Sequence, residues 1–111
     1  MKTAPLLGEF EQIVLLAILR LDDDAYGVTI RDEIAARTDR DPSPGALYTT
    51  LDRMDEKGLV TSRFGQPTPE RGGRAKRYFR VTAKGEAAVA RAQRAYQQLL
   101  QGLKLRGVGH A

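Results

Sequence analysis

The chain has 111 residues, of which 41% are hydrophobic and 29% charged, with no cysteine and a net charge of +4. That length suits one domain with a modest core; the lack of cysteine excludes disulfides and thiolate metal sites, and the longest apolar run, residues 13–19, is far too short to cross a bilayer. The charge is unevenly placed, with 12 acidic and 7 basic residues up to Lys57 but 2 acidic and 11 basic after it, which points to an anionic partner for the second half, nucleic acid ahead of a membrane surface.

Residues 8–21 read as a helix in which Phe10, Val14, Ala17 and Leu21 recur at helical spacing. The apolar residues between them leave little polar face, so this helix must be covered on most sides, by its own domain or by a second copy. The acidic, turn-prone "DDDAYG" then opens a second helix over residues 26–38, with Tyr26, Ile30 and Ile34 on one face. "DRDPSPG" interrupts the pattern. Ser43 is a suitable N-cap and Pro44 a suitable first helical residue for a third helix ending before Gly58. Leu47, Leu51 and Met54 mark its core side; Gly45, Thr49, Asp52 and Arg53 point away, with Tyr48 on the flank.

Two β-prone runs follow, "LVTSRFG" and "RAKRYFRVT", separated by a loop of prolines, glycines and cations. In the second run Phe79 and Val81 share the expected core face, and Lys76, Tyr78 and Arg80 share the other. An antiparallel pair makes a hairpin with a basic tip over residues 65–77. Thr82 is then the N-cap expected for a long last helix to about Leu105, in which Val89, Ala92, Tyr96, Leu99 and Leu103 step by 3, 4, 3 and 4, the spacing of a heptad seam. Residues 107–111 have no periodicity.

Three helices with a short second-to-third connection, then a hairpin, predict a mainly α fold with a β-hairpin: a winged helix-turn-helix over residues 1–81, followed by a dimerisation helix over 82–106. In such a fold the helix at 43–57 can enter a major groove while the wing lies along the backbone or reaches the minor groove. Arg71, Arg74, Lys76 and Arg77 would neutralise phosphates, Gly72 and Gly73 would let the backbone approach them, and Pro67 and Pro69 would stiffen the loop.

The segments "LGEFEQIVLLAILRL", "DDAYGVTIRDEI", "SPGALYTTLDRMDEKGLV" and "PTPERGGRAKRYFRVTAKG" occur in the order found in the PadR family of bacterial transcriptional regulators, which this chain resembles over residues 7–85. The resemblance implies a homodimeric repressor whose last helix packs with the first helix of its partner, drawing Phe10, Val14 and the heptad residues into the interface. It also implies that Tyr26, Ser43, Gly45, Tyr48 and Thr49 approach DNA, with residues 71–74 at the wing tip. A small phenolic or apolar effector between the first and last helices is a further expectation from the family. Larger members carry an extended C-terminal domain, whereas here a single helix follows the wing, and the absence of tryptophan removes the drug-stacking mode of some compact relatives.

Plainer readings compete at several positions. Tyr26 and Tyr48 could cover the core edge, Arg53 could pair with Asp52 or Glu56, and the heptad seam could pack on its own domain. Catalysis finds little support: the sole histidine, His110, lies in the tail, and no phosphate loop, nucleophile elbow or dinucleotide fingerprint occurs. No cofactor or metal is expected, the three adjacent aspartates at 22–24 being better placed to favour the positive end of the second helix. The expectation is therefore a cytoplasmic, non-enzymatic, DNA-binding repressor without a membrane segment or signal peptide. The rivals are a winged-helix protein adaptor, favoured by the acidic first half, and an RNA binder, weakly suggested by a single "RGG".

Overall fold

Helix α1 (Glu9–Leu21) begins where the backbone N–H of Gly8 donates to Glu11 Oε1 at 3.1 Å, satisfying one of the donors that a helix start leaves open. In the computed structural model, which describes residues 7–66 and 75–107, α1 is the central element, touching every other helix and the hairpin. Val14, Leu15, Ala17 and Ile18 are buried, and Phe10 and Leu21 are partly buried against the same core. Leu16 and Leu19 remain exposed.

The chain leaves α1 through Asp22, whose positive φ of 54° lies in a region that short polar side chains tolerate. A single 3-10 turn, Asp22–Asp24, leads to α2 (Gly27–Arg37). The aspartates thus sit before the helix. Tyr26 is the N-cap residue; its N–H donates to Thr29 Oγ1 at 3.0 Å, and the Thr29 hydroxyl in turn donates to the Asp24 carbonyl. Arg31 Nε donates to the Pro42 carbonyl at 2.8 Å and so holds the link into α3 (Pro44–Glu56). There Ser43 caps as the sequence predicts, its hydroxyl accepting from the Ala46 N–H at 3.1 Å. Leu47, Leu51 and Met54 are fully buried, joined by Thr50. Gly58 ends the helix with φ +77°, a conformation that glycine adopts without a Cβ clash.

The strands are β1 (Val60–Phe64) and β2 (Arg77–Val81), antiparallel with Ser62 opposite Phe79 and Arg63 opposite Tyr78. Phe79 and Val81 face the core. One feature is invisible to periodicity: the segment before α2 joins the hairpin edge, with the Phe79 N–H donating to the Ala25 carbonyl at 2.8 Å and an antiparallel bridge between Tyr26 and Tyr78. This fixes the start of α2 on the wing.

Helix α4 (Ala83–Leu100) is capped by Thr82, whose hydroxyl accepts from the Gly85 N–H at 3.0 Å. It stops five residues short of the periodic reading, because the chain turns at Gly102 with φ +82°. The architecture is three helices, a two-stranded wing and a last helix, the order read from the sequence. Beneath it, Glu11 fastens α1 to the end of α3: burial alone would raise its carboxyl pKa, but the Lys57 ammonium at 3.0 Å, the Gly8 N–H and the Arg53 charge outweigh burial and hold it below the usual carboxylate value.

Candidate nucleic-acid interface

The exposed face of α3 carries Gly45, Tyr48, Thr49, Asp52 and Arg53, as the 100° step requires. Ser43, at its start, is exposed and uses its oxygen as the cap acceptor, which leaves the hydroxyl hydrogen free for an outside acceptor such as a phosphate. Tyr48 lies across the start of α2: a Cβ on Gly27 would fall on its hydroxyl. The tyrosine therefore covers the joint between the two helices and still shows 38% of its surface. Arg53 makes no ion pair with Asp52 or Glu56 among the described residues; its charge is felt instead by Glu11.

Beside this face the wing base carries an alternation of cations and rings. Lys76 Nζ sits 4.4 Å from the Tyr26 ring centroid and donates to Tyr26 Oη at 3.3 Å. Tyr26 meets Tyr78 edge to face with centroids 5.3 Å apart, and Arg63 lies 5.0 Å from the Tyr78 centroid. Each cation–ring contact at such exposed sites contributes only about 0.5–1 kcal/mol, but together they aim two cations and a phenol along one surface. Tyr26 thus does both things the sequence allowed, packing against the wing and presenting its hydroxyl at the surface. Arg63 was not singled out from the sequence. Its signal was there in the register: a cation in the first strand placed opposite an aromatic in the second.

Two other wing arginines point elsewhere. Arg77 turns onto α3, with Nη1 3.1 Å from Asp52 Oδ1, Nη2 3.4 Å from Asp55 Oδ2 and Nε donating to Ser62 Oγ at 3.2 Å. Its guanidinium also lies 4.8 Å from the Phe79 ring centroid. The phosphate role read from the sequence for Arg77 has to contend with this engagement, because every nitrogen of the fork already has a partner. Arg80 pairs with Asp23. The acidic first half, which argued against DNA approach, is therefore partly neutralised by the basic second half at Asp23, Asp52 and Asp55. Arg71, Gly72, Gly73 and Arg74, with Pro67 and Pro69, lie outside the described residues.

The residues assigned to dimerisation divide into two sets. Val14 is fully buried within the chain, and Val89 and Ala92 nearly so, packed on its own core. Phe10 is half-buried, while Tyr96, Leu99 and Leu103 are 50%, 76% and 62% exposed. The seam is thus shared along its length: its first half serves the domain and its second half is uncovered. A cavity of about 130 Å³ lies between α1 and α4, lined by Leu7, Gln12, Ala92, Ala95, Tyr96 and Leu99. Among the described residues no group of three or more metal-ligating side chains comes together, and no helix is long and apolar enough to cross a membrane.

Comparison with known proteins was made on this geometry. The family profile described as the transcriptional regulator PadR-like family matches residues 15–91. The transcriptional regulator Rv3488 of Mycobacterium tuberculosis is 36% identical over 78 residues, covering 70% of this chain and 68% of that protein. The transcriptional regulator YqjI of Escherichia coli is 29% identical over 104 residues, 94% of this chain but only 47% of that protein. Among solved structures, a PadR family regulator from Clostridium difficile superposes with a TM-score of 0.66 at 22% identity over 81% of this chain and 90% of that one. A transcriptional regulator from Clostridium thermocellum gives 0.68 at 20% identity over 82% and 85%. At these identities the structural likeness establishes the fold, a winged helix.

Proposed function

Because this chain belongs to the PadR-like family of transcriptional regulators, which are not enzymes, we propose that it is a repressor that binds a roughly palindromic operator as a homodimer in the cytoplasm. Each copy sets α3 in a major groove, with Thr49 and Gly45 toward the bases and Ser43, Tyr48 and Tyr26 toward the backbone. The wing follows the adjacent phosphates or minor groove through Lys76 and residues 71–74. Arg63 joins this set on the strength of its place beside Tyr78. The observation that carries the reading is the continuous exposed surface formed by α3, the start of α2 and the wing base, with Lys76 and Arg63 left without acidic partners among the described residues. Two copies join through the uncovered part of α4, Tyr96, Leu99 and Leu103, against the exposed leucines of α1. The cavity between α1 and α4 is the place for a small phenolic or apolar effector.

The adaptor reading loses ground for a specific reason. Its support was the acidic charge near the reading helix, and Asp52 and Asp55 are both paired to Arg77. Thr49, exposed mid-helix on α3, tests base readout. Thr49→Ala is expected to change the base preferred at one position of each half-site, by about 1–3 kcal/mol in competition between operators. Binding to random duplex should stay within roughly threefold, since phosphate contacts carry no sequence information. Competitive selection from a randomised pool checks this, and an unchanged preference would remove Thr49 from the reading surface.

A further inference from the structure

We infer that Arg77 is a positioning residue, a clamp that ties the wing to α3 and neutralises Asp52 and Asp55, and that it holds no phosphate itself. The inference rests on the DNA-binding reading and refines it. Asp52 and Asp55 are three residues apart, so both carboxylates project from one side of α3, the side that continues from Thr49. Left alone they would face a polyanion. The Arg77 guanidinium answers both at once through separate nitrogens, while its third nitrogen binds Ser62 on the neighbouring strand. A planar fork can span two carboxylates and a hydroxyl in this way, and a lysine ammonium cannot. The Phe79 ring backs the guanidinium, and only 27% of the arginine side chain is exposed, against 61% for Asp52 and 41% for Asp55. The carboxylates are thus the outward partners and the arginine the inward one. An arginine waiting for a phosphate would show the reverse arrangement.

The hairpin is joined to α3 otherwise only through its apolar underside, so the clamp also sets where the wing stands relative to the reading helix. Arg77 differs in this from Lys76, its neighbour, which faces the other side of the strand and rests on Tyr26.

The test compares wild type, Arg77→Met and the triple variant Arg77→Met/Asp52→Asn/Asp55→Asn for affinity to a labelled random-sequence duplex across a salt titration, with thermal melting of each free protein and of Asp52→Asn/Asp55→Asn. Arg77→Met is expected to bind roughly tenfold more weakly while remaining folded. The triple variant should return to within about threefold of wild type with the same log–log salt slope. A triple variant whose slope is shallower by about 0.9, the signature of one lost phosphate contact, would overturn the inference, as would an Arg77→Met protein that binds as tightly as wild type. If wild type binds no duplex, the functional reading fails and the melting cycle decides the clamp alone. Coupling between position 77 and the two aspartates supports the clamp, and additive effects refute it.

Discussion

Replacing Arg71, Arg74 and Lys76 together with alanine is expected to weaken binding to duplexes of every sequence by roughly a hundredfold at moderate salt. It should also make the log–log salt dependence shallower by about 2.7, since each phosphate neutralised on duplex DNA releases about 0.9 counterion. The electrostatic reason is the uneven charge of the chain, with 11 of its 18 basic residues after Lys57. The structural reason is that the other strand arginines are not all available. Arg77 and Arg80 are engaged with aspartates, whereas Lys76 is exposed and meets only a tyrosine among the described residues. Lys76 therefore stands with the tip residues 71–74 as the cationic part of the wing. Its removal should leave thermal stability nearly unchanged, because surface substitutions away from caps and networks stay within about 0.5 kcal/mol. Fluorescence anisotropy with a labelled duplex at several salt concentrations measures both quantities. An unchanged affinity and slope would mean that the wing does not touch DNA.

The largest expected effect on stability falls on a glycine. Gly85 is buried in the first turn of α4, and a Cβ there would land on the Leu59 carbonyl oxygen and lie 2.7 Å from Val81 Cγ1. Neither neighbour can yield cheaply. Leu59 is 4% exposed, its N–H donates to the Met54 carbonyl, and its carbonyl accepts from Thr82. Relief would mean lifting α4 from the hairpin, and overpacking of this kind costs about 1–3 kcal/mol. Gly85→Ala is accordingly expected to lower the melting temperature by roughly 10 °C, at about 4–8 °C per kcal/mol for a domain of this size. Gly45 is the internal control, since an added methyl there meets open space; Gly45→Ala should melt no lower than wild type. Equal melting temperatures for Gly85→Ala and wild type would show that α4 does not sit on Leu59 as described.

What the sequence revealed follows the range of the interactions involved. The caps at Ser43 and Thr82 and the terminator at Gly58 are local, set by one residue and the three or four that follow, and each forms as predicted. The buried faces of α3 and β2 follow from periods of 3.6 and 2, so Leu47, Leu51, Met54, Phe79 and Val81 are also legible. The PadR resemblance, carried by four segments in order, is borne out by a profile match over residues 15–91. Arg77 was not legible in the same sense. Its partners lie 22 and 25 residues away, and nothing in a run of cations says which one turns inward. The Arg63–Tyr78 contact needs the strand register, and the Tyr26–Tyr78 bridge needs a third backbone segment that has no strand pattern of its own. The heptad seam misled only in its uniformity. A repeat of 3 and 4 marks an apolar stripe without saying which part of it the domain already uses, and here Val89 and Ala92 are used while Tyr96, Leu99 and Leu103 are not.

Selection of duplexes from a random pool by the purified protein, followed by mass measurement of the retained complex, puts the dimeric DNA-binding arrangement to the test. Two copies that each place α3 in a major groove should enrich a two-fold symmetric site, its half-site centres about 10 bp apart or a whole multiple of that, with two chains per duplex. Enrichment of a single asymmetric motif carrying one chain, or no enrichment at all, would contradict it.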